Sequence, residues 1–284
     1  MLIGFSRGAF TVRGLAAFIQ RVGLLTRLGL NHLRDIYDSW REWLESANEE
    51  EKFEQRRHEL QRKVDQLHEH GLLRKNIKIK ACAVWDTVAS LGLPLPNIFP
   101  LRATIDKVAS LSEAFPENIE NAYHALALHE RRRSFTPVLW TSSYRYLKQC
   151  WFSGSHAEVG GGLEKCQFAD ISLAWMISQL HGFVDFDLHA LSKVNEERGN
   201  PSAHGDTQQP VTSWFWWLTW LTGTIDRTPD EHHTIHFSVR KYREALKGGK
   251  DDSVMQFWPY EDIREEAPNE FEMARLKDIK WLLK

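Results

Sequence analysis

Cysteine is scarce in this chain: Cys82, Cys150 and Cys166 are the only three in 284 residues. An odd number at wide spacing fits neither a disulfide framework nor a C-x-x-C metal site, and it points to a reducing, cytoplasmic compartment. Long hydrophobic runs are missing as well. No stretch approaches the ~20 apolar residues that a membrane span needs. Met1 to Phe5 has no basic start and Arg7 interrupts the apolar run, so no secretory leader is expected. Excess charge of either sign is absent: 36 Lys and Arg stand against 38 Asp and Glu, a net charge of −2. A nucleic-acid partner, which would call for a basic excess, is not expected. There is no internal repeat.

What is present is an ordinary globular composition, 42% hydrophobic and 26% charged. It carries one anomaly, twelve tryptophans, of which Trp214, Trp216, Trp217 and Trp220 crowd together. The length suits one large domain or two small ones.

Near the start, Gly4-Phe5-Ser6-Arg7-Gly8 fits G-x-S-x-G. Met1-Leu2-Ile3 reads as the end of a buried strand, and Ala9 to Ile19 as a mostly apolar helix. A strand, a sharp turn and a helix in that order make a nucleophile elbow, which raises the serine hydroxyl above the sheet. Ser6 would then be the nucleophile and the N–H of Arg7 an oxyanion donor, helped by the positive end of the helix. Gly4 and Gly8 would keep the turn free of clashes. The plainer alternative is a turn in which Ser6 merely caps the helix.

Further along, the first helix is expected to run from Ser6 to about Arg27. Residues 31–70 read as helical and charged, an insertion outside the sheet, with Ile36, Trp40 and Leu44 at helical spacing. Ile77 to Val84 reads as a strand leading to Asp86, and 91–100 as a proline-rich loop. The segment 116–130 has apolar Ile119, Ala122, Tyr123, Leu126 and Ala127 at helical spacing and is expected to be a helix. Two strands are expected at 135–140 and 147–152, and a helix over 168–181. Residues 195–210 read as loop, and 235–239 forms a last apolar stretch. Strands alternating with helices argue an α/β fold with a parallel sheet.

A serine hydrolase needs a base in reach of the serine and an acid to orient it. Asp86 and His156 follow expected strand ends, in the chain order Ser, Asp, His. Asp86 also reads as a helix N-cap, while Glu158 and Asp170 are alternative acids. The run Gly160-Gly161-Gly162 beside His156 would let backbone approach a ligand closely. His232, His233 and His236 match no zinc pattern, and a surface turn suits them better.

Three blocks, Gly4 to Phe10, Val84-Trp85-Asp86-Thr87-Val88 and Gly154 to Gly162, together resemble the signature of one family. His124-Ala125-Leu126-Ala127-Leu128 and Ile235 to Val239 add to it. The chain is similar to the α/β-hydrolase family of type VI secretion phospholipase effectors over roughly residues 1 to 240. The resemblance implies a triad of Ser6, Asp86 and His156, esterase action on a phospholipid or other ester, and no cofactor. This chain departs from the family with Glu158 in place of an aspartate and His129 in place of an acidic residue. It also shows no Asp-Gly-Thr block ahead of the elbow, so the resemblance predicts an amino-terminally incomplete hydrolase sheet lacking one oxyanion donor. An inactive domain that serves as an interaction module is the alternative of another class.

The aromatic stretch at about 211–223 carries apolar side chains on both helical faces. It is expected either to bury as a helix or to present one face to lipid as a lid in peripheral membrane contact. The oligomeric state is left open.

Overall fold

The computed structural model describes residues 1–89, 115–141, 146–163, 167–187, 225–230, 232–247, 264–270 and 272–273. Within them a parallel sheet forms the centre. Its strands are β1 (Leu2–Phe5), β4 (Cys82–Trp85), β5 (Ala122–Ala127), β6 (Leu147–Phe152), β7 (Thr234–His236) and β8 (Glu265–Glu266). The described strands follow the order β1-β4-β5-β6-β7-β8, and each pairing is parallel. The register sets Leu2 against Cys82, Cys82 against Ala122, and Ala122 against Leu147. Their ends are thus aligned, and the loops that follow β1, β4 and β6 emerge on one edge.

A parallel sheet with helices on both faces needs apolar side chains at successive positions, not alternate ones. Cys82, Val84 and Ala122 meet Ala9, Ala16 and Ile19 of α1 (Arg7–Val22) on one face. Ala81, Ala83, Tyr123 and Ala125 meet Phe168, Ile171, Trp175 and Met176 of α5 (Gln167–Leu180) on the other. The period of two along each strand divides neighbouring residues between these layers. Phe237 and Tyr242 of α6 (Phe237–Lys247), which follows β7, join the second layer. The short α4 (His156–Gly160) follows β6.

A helical hairpin stands beside the sheet. It comprises α2 (Leu33–Glu45) and α3 (Glu50–Glu69), bracketed by β2 (Leu24–Leu25) and β3 (Leu73–Arg74), an antiparallel pair of their own. Ile36, Trp40 and Leu44 pack on Leu60 and Val64, and Phe18 and Val22 of α1 close the cluster. The insertion expected at 31–70 is therefore two helices with a shared apolar seam.

Four expectations need correction. The first helix ends at Val22 and not near Arg27, because Gly23 takes φ +100° and the chain turns into β2. Residues 122–127 are a buried strand and not a helix; both its faces are covered, so its apolar residues fall at helical as well as strand spacing. Residues 135–140 form no strand of the sheet: a 3-10 turn spans Arg133–Phe135, and a single antiparallel bridge joins Val88 to Pro137. Proline has no N–H to give a ladder. The strand expected from Ile77 is confined to Cys82–Trp85, with one earlier bridge from Ile79 to Ile119. The readings at 91–100, 195–210 and 211–223, with Trp214, Trp216, Trp217 and Trp220, lie outside the described residues, as does Cys166. No helix among the described residues is long and apolar enough to cross a membrane.

Candidate active site

Ser6 occupies the turn between β1 and α1 with φ 59° and ψ −125°, a conformation that a side-chain-bearing residue takes only under constraint. The constraint is visible. Its N–H extends the ladder to Trp85 O at 2.9 Å, and its carbonyl accepts from Phe10 N at 3.2 Å to begin the helix. The backbone folds back so tightly that a Cβ on Gly4 would lie 2.6 Å from Gly8 O and 2.7 Å from Ala9. Gly4 is thus required. At Gly8, by contrast, a Cβ would meet no described atom within 4 Å beyond its chain neighbours and the backbone of α1. Arg7 opens α1, where the first N–H groups have no partner within the helix.

Asp86 ends the β4 segment with φ 36° and no exposed surface. Its N–H donates to Ala125 O at 2.8 Å, and its Oδ1 accepts from Ala127 N at 3.0 Å. His156 is the first residue of α4. Ser155 precedes it as N-cap, and Glu158 Oε2 reaches back to accept from Ser155 N at 2.6 Å. Glu158 is thereby committed to the cap, and it is Asp86 that meets the histidine.

The three residues converge although 150 positions separate Ser6 from His156. His156 Nδ1–H donates to Asp86 Oδ2 at 2.6 Å, so Nε2 accepts from the Ser6 hydroxyl at 2.8 Å. The tautomer follows from the acid, since an ionised carboxylate only accepts. The imidazole is nearly buried. The Phe5 ring lies 4.7 Å and the Phe135 ring 4.8 Å from it, centre to centre, and Glu130 Oε2 accepts from His156 N at 3.2 Å. Glu130 is itself held by the Arg132 guanidinium at 2.7 Å. Gly160 also serves this packing: a Cβ there would stand 2.0 Å from the Phe5 ring. Its close approach is to protein, not to open space for a ligand.

Burial alone would push the Asp86 carboxyl up, but the Arg227 guanidinium and hydrogen bonds from His156 and Arg227 outweigh it. They hold the group ionised, well below the usual carboxylate range. Arg227 Nη1 donates to Asp86 Oδ1 at 2.5 Å and Nη2 to Oδ2 at 3.1 Å. Nothing in the sequence singled out Arg227. It belongs to no motif and lies 141 residues from its partner.

Behind Asp86, the N–H of Thr87 donates to His124 Nε2 at 3.2 Å, and His124 Nδ1–H donates to Gln149 Oε1 at 3.2 Å. Burial first, and Arg13 second, push His124 down to about 3, against the opposing pull of Asp86. The imidazole is a neutral brace. His129, pushed down to about 4 by burial and by Arg131, accepts from Gly154 N at 3.0 Å just before the His156 turn. Burial pushes the Cys82 thiol up to about 12, so it supplies no nucleophile. His236 bonds Glu272 at 2.6 Å, and His233 bonds Asp230 and Gln149. Among the described residues no group of three or more His, Cys, Asp or Glu side chains is arranged to hold a metal.

A parallel sheet with helices on both faces and a strained serine between β1 and α1 define an α/β-hydrolase-like fold. The family model of the T6SS phospholipase effector Tle1-like catalytic domain matches residues 1–179, and the chain belongs to that family. It is also similar to the uncharacterized protein YEL023C of Saccharomyces cerevisiae. The two are 30% identical over 146 residues, which is 49% of this chain and 18% of that protein. The chain thus spans less than a fifth of the length of that relative. No solved structure matches.

Proposed function

We propose that this chain is a serine esterase acting on lipid esters, phospholipids first among them. The observation that carries the reading is the continuous hydrogen-bonded chain from Ser6 through His156 to Asp86. Membership of a phospholipase effector family supports the substrate class.

Each role follows from position. His156 Nε2 takes the hydroxyl proton as Ser6 Oγ attacks the ester carbonyl, and it later returns that proton to the leaving alcohol. Asp86 holds the imidazole in the tautomer that leaves Nε2 free to accept, and it stabilises the imidazolium formed during attack. The N–H of Arg7, at the positive end of α1, faces the charge that develops on the carbonyl oxygen. The acyl group on Ser6 then yields to water activated by the same histidine. All four groups lie at one end of the sheet, where the loops after β1, β4 and β6 gather.

Fatty-acid release from phosphatidylcholine vesicles tests the proposal. Wild type is expected to release fatty acid, and Ser6→Ala to lose about a millionfold in turnover, as in related triads. Equal release by both proteins contradicts it.

A further inference from the structure

Asp86 is a fully buried anion, and the question is what holds it in one orientation. Two donors, the backbone N–H of Ala127 and the side-chain Nδ1–H of His156, reach one oxygen each. The Arg227 guanidinium reaches both. A planar fork matched to the two oxygens of a carboxylate fixes rotation about the last side-chain bond, which single bonds leave loose. The fork is itself fixed, because Nη1 also donates to Ala127 O at 2.6 Å and Nη2 to Phe135 O at 2.5 Å. The same side chain thereby ties down the residue whose ring stands 4.8 Å from the His156 ring. The Arg132 guanidinium lies over the Phe135 ring, 3.7 Å from its centre.

We propose that Arg227 is a positioning residue of this site, gripping both oxygens of Asp86 so that Asp86 presents one of them to His156. The proposal rests on the hydrolase reading above. A general base works only within a narrow geometry, and a displacement of about 1 Å costs on the order of a hundredfold in rate. The bonds described for Arg227 run to Asp86 and to the Ala127 and Phe135 carbonyls, so it acts on the site through Asp86 and Phe135. Among the described residues, the charged and titratable groups facing the Asp86–His156 pair are Arg227 itself, His124 of β5 behind Thr87, Glu130 at the His156 N–H, and Arg132 beyond Glu130.

The test compares wild type with Arg227→Met and Arg227→Lys on p-nitrophenyl butyrate. Alongside, it follows the low-field proton resonance of His156 Nδ1–H, which needs no turnover. Arg227→Met is expected to lower kcat by about ten- to a hundredfold with KM unchanged. Its acid limb of kcat/KM should move to higher pH, because Asp86 without its guanidinium takes up a proton sooner, and the low-field proton should broaden into exchange with water. Arg227→Lys keeps the charge and loses the fork; it should hold the acid limb near wild type with an intermediate kcat. A folded Arg227→Met protein with wild-type kcat, acid limb and low-field proton overturns the proposal. If Arg227→Met does not fold, Arg227→Lys decides: wild-type kcat in that variant overturns the need for the fork. A wild type that cleaves no ester sinks the hydrolase reading alone, and the resonance still reports on Arg227.

Discussion

The active-site end of the sheet and the helical hairpin are held together in opposite ways. The hairpin joins neighbours in sequence through one apolar seam, Ile36, Trp40 and Leu44 against Leu60 and Val64. Its outer faces carry ion pairs such as Arg56 with Glu42 at 2.9 Å and Lys63 with Asp35 at 2.7 Å, all partly exposed. The site joins residues more than a hundred positions apart through buried hydrogen bonds, and Arg227, Asp86 and His156 share almost no surface with water. A seam tolerates small shifts, since apolar contact has no preferred direction. A buried polar network does not, because each group that loses its partner bears its full desolvation cost. Substitutions in the hairpin should therefore change stability alone, and substitutions in the site should change chemistry as well.

After Ser6→Ala, Asp86→Asn gives the largest expected effect. The amide offers the histidine the wrong partner, so esterase turnover should fall on the order of ten-thousandfold while the fold persists, read by kinetics beside circular dichroism. A loss of only a few-fold would remove Asp86 from the mechanism. In the hairpin, Trp40→Ala empties part of the seam and should cost about 3–5 kcal/mol in urea unfolding, while kcat of the folded protein stays as it was. If kcat falls in step with stability, the two regions are one unit and the contrast fails.

The turn allows a finer comparison between Gly4 and Gly8. Gly4→Ala drives a Cβ into backbone at 2.6 Å and should cut both stability and the yield of folded protein. Gly8→Ala has room and lies in a helix, so it should be neutral or stabilise by up to about 1 kcal/mol. Equal damage from both changes would mean that α1 does not fold over Gly4 as described.

Acid should also separate the regions. His124 and His129 stay neutral in the folded protein, down to about 3 and about 4, against an ordinary value of 6.5. Below pH 6.5 the unfolded chain takes up protons that the folded chain refuses. Stability is therefore full above that pH and falls on the way down to about 3 to 4. Asp86 acts with the same sign in the lower part of the window, because its carboxyl is held below its ordinary range. The melting temperature should decline between pH 6.5 and 4, and a flat profile would contradict the buried neutral histidines. The smallest effect belongs to the hairpin surface. Arg56→Ala removes partly exposed ion pairs to Glu42 and Glu59 and should shift stability by less than about 1 kcal/mol.

The same contrast explains what could be read in advance. The hairpin was legible because apolar residues at helical spacing show in a single sequence. The convergence of Ser6, Asp86 and His156 was legible because the elbow has a fixed local pattern and the other two follow strand ends; their catalytic roles are the proposal made above. Arg227 was not, because a residue that acts through a bond across 141 positions leaves no local signal. The strand at 122–127 was hidden for a different reason. Burial on both faces erases the alternation that marks a strand, and Ala122, Tyr123, Leu126 and Ala127 then mimic a helix. At 135–140 the residues favour a strand, yet Pro137 and the grip of Arg13 on Val138 and Leu139 carbonyls hold the segment as a loop. Glu158 reads as an alternative acid by its closeness to His156 in the sequence, yet its carboxylate is taken up by Ser155 N at the start of the helix.

The central claim is that Ser6 is a nucleophile activated by His156. Labelling with a fluorophosphonate, followed by peptide mapping, tests it most directly, because the reagent bonds only to an activated hydroxyl and needs no knowledge of the natural ester. Wild type should label on the peptide that carries Ser6, and His156→Ala should label far more slowly with Ser6 still in place. Label on another residue, or equal rates in both proteins, would contradict the account.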